Sequence, residues 1–297
     1  HRGALYRLMP MPPRKRILLL PERRFFNGQD FSPAFRKYAR RFQRTQSDES
    51  GETAQLRRFF RCIPDGWPMA AICRQHEASD AHNQTWLRAD PIFLQIELRG
   101  ARVMACGNLP LSLQEKHAVL SALKPVFGDF GFELCFSQQD FFYIRALSAS
   151  PIPSFIPAPE ILGCDLAGLL PDNKQWLTIF NECQIILHNH PLNVARQQQG
   201  QLPINGLWFW GQGALPTAIY HHFEIIDSQS PDLQTLKSTA LMHADCQENT
   251  LIDLRHVRDW ASVESAFKAD KTNIFDFADG MQWQWQPNYR WYFWRRT

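Results

Sequence analysis

The sequence contains no apolar run long enough to cross a bilayer. Its longest early apolar run is Ile17 to Leu20, whereas a membrane-spanning helix needs about 20 residues, and the same run is too short for the apolar region of a secretion signal. Internal repeats and low-complexity stretches are also missing, which excludes repeat arrays, collagen-like chains and wholesale disorder. We therefore expect a cytoplasmic protein with an ordinary hydrophobic core and no membrane partner.

Paired cysteine motifs are missing as well. The seven cysteines are scattered, and no two of them have the Cys-x-x-Cys spacing of zinc ribbons and redox sites. An odd number without paired spacing also argues against a disulfide framework. The sequence thus predicts reduced and mostly buried thiols, at positions 62, 73, 106, 135, 164, 183 and 246.

Positive charge is abundant but unevenly distributed. Residues 1–61 carry 15 Lys and Arg against 5 Asp and Glu, a net charge of +10, whereas the remaining residues carry −7 and the total is +3. Within this region four apolar residues recur at helical spacing among arginines, which predicts an amphipathic basic helix from Ser32 to Arg44. Such a face could bind nucleic acid or an acidic protein. The alternative is a solvated helix face, and nucleic acid is the less favoured partner.

The middle of the chain has the most regular pattern. Apolar residues alternate from Ile92 to Leu98, and a second strand is predicted at Ala101 to Cys106. A capping-box spacing, Ser112 to Glu115, then begins a helix. Two further strands are predicted at 131–136 and 141–146. This order of two strands, a helix and two strands predicts a compact α+β unit.

Two aromatic segments follow. Ile204 to Trp210 (INGLWFW) indicates a buried strand that ends in a Gly-Gln-Gly turn, where the backbone approaches another group closely. Residues 281–296 alternate around a Pro-Asn pair, which predicts a C-terminal hairpin with an aromatic face. A polar break at 78–84 predicts a module boundary before Thr85.

The residues Leu187 to Gly213, LHNHPLNVARQQQGQLPINGLWFWGQG, resemble a signature of cofactor-independent phosphoglycerate mutases of the archaeal type. In that family an HPxN-x-x-R-x-x-x-G segment is followed by an Asn-containing strand that ends in W-G-Q-G or R-G-A-G. Upstream, Trp86 to Pro91 (WLRADP) and the ββαββ unit resemble the family's inserted substrate domain. The resemblance covers about residues 85–213 and so implies three segments, 1–84, 85–213 and 214–297. It implies an α/β fold in which a reduced alkaline-phosphatase-like parallel sheet layer carries an inserted ββαββ (α+β) unit.

A second resemblance is to bacterial proteins labelled as phosphoglycerate mutases or as regulators of pathogenicity factors. It rests on three motifs in the same order: the WLRADP element, the HPxN…NxxWxWG segment and a C-terminal FWRR at Phe293 to Arg296. This resemblance implies a regulatory role.

The catalytic half-sites of the alkaline-phosphatase-like superfamily are not recognisable in the sequence. Active members hold two metal ions with Asp and His ligands, and a Ser or Thr accepts the phosphoryl group. The first half-site is an Asp-Gly pair after the first strand, where this chain has Pro21-Glu22-Arg23. The Asp-x-x-Gly-His and Asp-His elements of the second half do not occur after Gly213. These departures predict a pseudoenzyme, without a cofactor, that binds a phosphorylated small molecule or a protein partner and acts in regulation.

The alternative is an active, metal-dependent mutase, an isomerase, whose Mn²⁺ or Mg²⁺ ligands are not recognised. Ligand-binding candidates are taken from the family-like segments, because guanidinium forks and neutral donors suit a phosphorylated acid. The structural alternative is that Arg and Asn side chains hold the turns by bonding backbone carbonyls, and that the tryptophans belong to the core. The predicted ligand-binding residues are Arg88, His190, Asn193, Arg196, Asn205, Trp208 and Trp210.

Overall fold

The structure is a computed structural model that describes residues 15–98, 100–148, 151–239, 241–267 and 272–285. The strands are β1 (Lys15–Leu20), β2 (Phe42–Gln46), β3 (Arg61–Ile63), β4 (Thr85–Glu97), β5 (Gly100–Cys106), β6 (Phe132–Cys135), β7 (Phe142–Ala146), β8 (Gly206–Ala214), β9 (Ala218–Asp227), β10 (Met242–Asp253), β11 (Thr272–Phe277) and β12 (Met281–Trp285). The helices are α1 (Pro33–Ala39), α2 (Glu52–Arg57), α3 (Met69–Ala78), α4 (Leu113–Asp129), α5 (Ala158–Ile161), α6 (Lys174–His188), α7 (Leu192–Gln198), α8 (Pro231–Ser238) and α9 (Trp260–Ala266).

The chain divides into two compact units. Unit 1 comprises residues 1–59, 221–230 and 244–297, and unit 2 comprises residues 60–220 and 231–243. Strands β9 and β10 have residues in both units. The middle segment predicted from the sequence lies wholly within unit 2.

Unit 1 is built on a mixed sheet with the strand order β2-β12-β11-β1-β10-β9. The central strand β1 is parallel to both β10 and β11, whereas β12 is antiparallel to β11 and β2. Residues Ile17 to Leu20 are apolar on both faces of β1 and all are buried, as is typical of a strand covered on both sides. The parallel layer of a mixed α/β fold is therefore confirmed in this unit.

Unit 2 contains the predicted ββαββ unit. Its antiparallel sheet has the order β5-β4-β7-β6, and β8 pairs with β4 as well. Helix α4 begins at a complete capping box, in which the Ser112 hydroxyl and the Glu115 carboxylate each accept a backbone N–H. Local signals in the sequence were sufficient here, because strand alternation and the helix cap lie within a few residues of one another.

The basic helix is shorter than the sequence predicts. Helix α1 ends at Ala39, and the chain continues as strand β2, which pairs with β12. The ring of Phe42 packs against Phe275 and Trp283, with centroids 5.2 and 5.9 Å apart. Pairing with a distant strand therefore overrides the helical spacing of the apolar residues in this segment.

The predicted Gly-Gln-Gly turn is part of strand β8. Gly211 has a φ of +67°, and a Cβ at Gly213, whose φ is +145°, would lie 2.8 Å from Cβ of Pro68. The close backbone approach inferred from the glycines is present, but it occurs within strand β8, whose pairing with β4 shifts register between Trp86 and Arg88, and not in a terminal turn.

The predicted C-terminal hairpin is described only in its first strand. Strand β12 covers Met281–Trp285, and its two neighbours are β11 and β2. The predicted second strand and the FWRR motif lie outside the described residues. Among the described cysteines, those at 62, 73, 106, 135, 164 and 183 are not part of a disulfide. No described helix has the length and apolar character required to span a membrane.

Candidate functional site

Arg88 is a predicted ligand-binding residue that contacts both carboxylates and aromatic rings. It lies on β4 opposite Trp210 of β8, and its guanidinium donates two hydrogen bonds to Asp90, at 2.7 and 3.2 Å, and one to Asp232, at 3.3 Å. The guanidinium carbon lies 3.8 Å from the ring centroid of Phe141 and 4.6 Å from that of Trp210. Two carboxylates and two rings therefore hold this cation in one orientation.

The two carboxylates that bind Arg88 differ in their exposure to solvent. Asp90 is fully buried and also accepts a hydrogen bond from the indole N–H of Trp210, whereas the Asp232 side chain, in the first turn of α8, is 26% exposed. Burial alone would lower the pKa of Arg88, but the charges of Asp90 and Asp232 raise it above its usual value. The cation is thus permanent, and Asp232 is the partner that solvent reaches.

The thiol of Cys73 lies next to this cluster. Burial, assisted by the charge of Asp232, raises the pKa of Cys73 to about 12, although Arg88 opposes the shift. The sulfur is therefore protonated at neutral pH and is a poor nucleophile. Covalent catalysis by this thiol is thus not favoured.

The two predicted amides contact backbone groups. The Asn193 side chain donates to the carbonyls of Leu187 and Ile204, at 2.8 and 2.9 Å, and accepts from the N–H of Ile204. Asn205 binds both backbone groups of Leu94, at 2.7 and 2.8 Å. Together these bonds fix the loop between α7 and β8 against α6 and β4, as the scaffold alternative predicts.

Arg196 is fully buried and is also held by backbone groups. Its guanidinium donates to the carbonyls of Pro110 and Leu202, at 3.0 and 2.7 Å, and pairs with the carboxylate of Glu115 at 2.7 Å. The side chain is only 1% exposed. All three contacts lie within unit 2, so the charge of Arg196 is satisfied by its own scaffold.

The remaining two candidates contact neighbouring backbone as well. Trp208 is buried in the core, and its indole N–H donates to the carbonyl of Ile156 at 2.8 Å. His190 precedes α7, and its Nδ1 accepts the N–H of Leu192 at 3.1 Å. Of the seven predicted residues the structure thus brings together Arg88 and Trp210, and a ligand-binding role for the set stays a prediction.

Two buried aspartates occupy the carboxyl ends of the parallel strands in unit 1. Asp253 is the last residue of β10, and Asp276 is the penultimate residue of β11. Both are level with Leu19 of the central strand β1. Ligands of open α/β sheets bind at this edge, so these carboxylates are the ones to test as metal ligands.

Asp253 is bound by an arginine from its own strand end. The Arg255 guanidinium donates to both carboxylate oxygens, each at 2.8 Å, and the Ser228 hydroxyl donates at 2.7 Å. Glu52 of α2 lies 3.4 Å from the other side of this guanidinium. Burial alone would raise the pKa of Asp253, but the bonds and the charge of Arg255, together with Ser228, bring it below its ordinary value.

Asp276 has an arginine partner from a different element. The Arg58 guanidinium, just after α2, donates to the two oxygens of Asp276 at 2.7 and 3.2 Å, and the Gln282 amide donates as well. Burial raises the pKa of Asp276 in spite of these partners. Helix α2 is held over the strand ends by Gln55, which donates to the carbonyls of Leu20 and Asp276 at 3.0 and 2.6 Å.

These strand ends do not fit the two-metal site that the resemblance implies. Besides the two buried pairs, Asp279 accepts a bond of 2.7 Å from Arg23, and Glu22 pairs with Arg24 at 2.7 Å. Nowhere in the described ranges do three His, Cys, Asp or Glu side chains converge as metal ligands would. The carboxylates at the strand ends are engaged by guanidinium groups, where a metal site needs several free oxygen or nitrogen donors around one point.

At least five residues of these clusters were not predicted from the sequence: Asp90, Asp232, Arg58, Arg255 and Asp276. Asp90 lies two positions after Arg88 on the same strand, so the period-two pattern could have placed both on one face. Asp232, Arg58 and Arg255 carried no such signal. The Arg58–Asp276 pair, for example, joins residues 218 positions apart, and only the folded chain brings them together.

Comparisons with known proteins place this chain near one enzyme family. A stretch of 70 residues, 23% of the chain, is 30% identical to a probable 2,3-bisphosphoglycerate-independent phosphoglycerate mutase of Geobacter sulfurreducens and covers 18% of that protein. A stretch of 63 residues is 33% identical to the corresponding enzyme of Methanosarcina barkeri, covering 20% of this chain and 16% of the relative. The solved cofactor-independent phosphoglycerate mutase of Thermoplasma acidophilum aligns with 94% of this chain and 90% of its own, at 13% identity and a TM-score of 0.38. No protein-family model matches.

The chain is a mixed α/β protein, and about a fifth of it is similar in sequence to phosphoglycerate mutases of this type. The sequence matches span less than a fifth of the length of these curated relatives.

Proposed function

We propose that this protein is a non-catalytic relative of the phosphoglycerate mutases that acts by binding an anionic ligand. The observation that carries the proposal is the pairing of Asp253 with Arg255 and of Asp276 with Arg58 at the strand ends of unit 1. Each carboxylate already accepts two bonds from a guanidinium, and a divalent ion would have to displace a positive charge from a buried site. Removing one partner of a buried ion pair costs about 3–5 kcal/mol, which opposes metal binding at both positions.

The ligand that we propose is a phosphorylated acid, and its binding residue is Arg88. Of the two predicted arginines, Arg88 has the more exposed side chain, 12% against 1% for Arg196, and one of its carboxylate partners, Asp232, is 26% exposed. A phosphate or carboxylate group of the ligand takes the place of Asp232, while Asp90 and the two flanking rings keep the guanidinium in position. Arginine is suited to this exchange because its planar fork binds either anion in a bidentate manner. Such binding without turnover agrees with a regulatory role.

An enzymatic assay tests the absence of catalysis. The purified full chain is incubated with 3-phosphoglycerate and Mn²⁺, and the formation of 2-phosphoglycerate is followed with the Methanosarcina barkeri enzyme as a positive control. We expect no interconversion above the rate without protein. Interconversion at a rate comparable with that of the control, abolished by a chelator, would show that the protein is an active mutase and would overturn the proposal.

A further inference from the structure

Unit 1 exposes an aromatic ring beside two guanidinium groups, and the proposed function does not use it. Phe25 lies in a short 3₁₀ helix at Arg23–Phe26, soon after β1, and is 41% exposed. The guanidinium carbon of Arg258 lies 4.3 Å from the centroid of this ring, and that of Arg24 lies 5.3 Å from it. Both distances are those of cation–π contacts. We call Arg24, Phe25 and Arg258 the Phe25 surface.

One glutamine joins the two loops that form the Phe25 surface. The Gln29 amide donates to the backbone carbonyls of Phe25 and Arg258, at 3.1 and 2.8 Å, and its Oε1 accepts the N–H of Trp260 at 2.6 Å. The ring of Phe26 packs edge-on against Trp260, with the centroids 5.2 Å apart. The loops after β1 and β10 are therefore anchored to each other and to the core of unit 1, which lowers the ordering cost of binding a partner.

The guanidinium of Arg258 is oriented through one of its nitrogens. Its Nη1 donates to the carbonyls of Arg255 and Val257, at 2.6 and 2.9 Å. Among the residues that the structure describes, no carboxylate pairs with this guanidinium, and its Nε and Nη2 have no hydrogen-bond acceptor. Since Nε and Nη2 form one edge of the planar fork, they are placed to bind both oxygens of a carboxylate.

Acidic side chains on the same two loops favour a single carboxylate over a polyanion as the ligand. Glu22 pairs with Arg24 at 2.7 Å, Asp30 is exposed, and the exposed Asp259 caps the N-terminus of α9. Their charges would repel the closely spaced phosphates of a nucleic acid. One carboxylate directed at Arg258 avoids them.

We propose that the Phe25 surface binds a segment of a partner protein in which a carboxylate lies beside an aromatic or aliphatic side chain. The carboxylate accepts hydrogen bonds from Nε and Nη2 of Arg258, and the apolar side chain packs on the ring of Phe25. Aromatic side chains and arginines are enriched among the residues that contribute most to protein–protein binding. The proposal is independent of the Arg88 cluster and of a phosphorylated ligand.

Fluorescence anisotropy with the full chain and a labelled peptide, Gly-Ser-Leu-Tyr-Glu-Leu-Ser-Gly blocked at both ends, tests this proposal. We expect saturable binding, and a loss of at least about tenfold in affinity in Phe25→Ala and in Arg258→Gln. Leu98→Ala is the control for an exposed apolar side chain, and Arg36→Gln is the control for an exposed arginine, because Arg36 already pairs with Asp30 at 3.0 Å. Circular dichroism of each variant establishes that the fold is retained. Phe25→Ala keeps the test decisive if Arg258→Gln does not fold, because the Phe25 ring lies outside the core.

Two altered peptides separate the carboxylate from the apolar contact. One has Gln in place of Glu, the other has Ser in place of Tyr and of both Leu residues, and we expect each to bind at least about tenfold more weakly. Equal binding of either altered peptide, or wild-type affinity in Phe25→Ala or Arg258→Gln, would overturn the proposal. Failure of the parent peptide to bind would do so too. A duplex DNA that displaces the peptide from the wild type, and that neither variant binds, would identify nucleic acid as the partner instead.

Discussion

At the scale of single residues, Arg88 and Arg196 differ in how far solvent reaches the ion pairs that they form with carboxylates. Arg196 is buried, and its guanidinium binds two backbone carbonyls and Glu115. These contacts give it a role in stabilising the fold. Arg88 has one buried partner and one that is partly exposed. The residue type and the family-like motifs were sufficient to select both arginines from the sequence. Their roles depend on burial, which a single sequence does not display.

Replacing Arg196 separates a scaffold role from a ligand role. Arg196→Ala leaves Glu115 and two carbonyls without their donor, so we expect the free energy of unfolding to fall by about 3–5 kcal/mol in urea denaturation. Arg102→Ala is the control, because its pair with Glu97 is exposed on both sides and such pairs contribute little. Equal stability of the two variants would contradict the scaffold role of Arg196.

Replacing Asp232 tests the exchange at Arg88. Asp232→Asn removes the exposed negative charge that competes with the ligand, so we expect the affinity for 3-phosphoglycerate, measured by isothermal titration calorimetry, to rise by roughly tenfold. Asp80→Asn is the control, since Asp80 pairs with Arg74 in the same unit. An unchanged or weaker affinity in Asp232→Asn would exclude Asp232 as the group that the ligand replaces.

At the scale of elements, the sequence predicts what local signals determine. The ββαββ unit follows from alternation and a helix cap, and β1 follows from a short apolar run between charged residues. The change from helix α1 to strand β2 could not be predicted, because it depends on pairing with β12 more than 230 positions away. The same limit applies to α2, whose Glu52 reaches Arg255 across 203 positions. The polar pairs at the strand ends therefore depend on contacts between distant parts of the chain, which local sequence patterns do not reveal.

The pair at the end of β10 has a consequence for stability against acid. The pKa of Asp253 is lower in the folded chain than in the unfolded one, because Arg255 and Ser228 outweigh the effect of burial. Its contribution to the free energy of unfolding is thus complete above a pH of about 4, the ordinary value for Asp, and is lost as the pH falls through the folded-state pKa. We expect Asp253→Asn to be less stable than the wild type at pH 7, and the difference to shrink as the pH falls below about 4.

Urea denaturation at several pH values measures this difference. Asp227→Asn serves as the control, because Asp227 is exposed on β9 and its replacement should change little at any pH. A stability gap for Asp253→Asn that stays constant from pH 7 to about 2 would show that the charge of Asp253 does not stabilise the fold.

At the scale of the whole molecule, the two units contain different candidate sites. Unit 2 contains the family-like segments and the Arg88 cluster, and unit 1 contains the parallel strands whose carboxyl ends hold Asp253 and Asp276. The sequence located the first of these by its motifs. The second became visible only in the fold, which brings arginines to the carboxylates at the strand ends instead of additional acidic or histidine ligands.

The metal content of the protein most directly tests the claim that the strand ends of unit 1 do not bind a pair of metal ions. The full chain is dialysed against Mn²⁺, freed of unbound ions and analysed by mass spectrometry for bound metal, alongside the double variant Asp253→Ala/Asp276→Ala. We expect only substoichiometric Mn²⁺ in the wild type and no decrease in the double variant. Two equivalents of Mn²⁺ per chain, lost in the double variant, would contradict it.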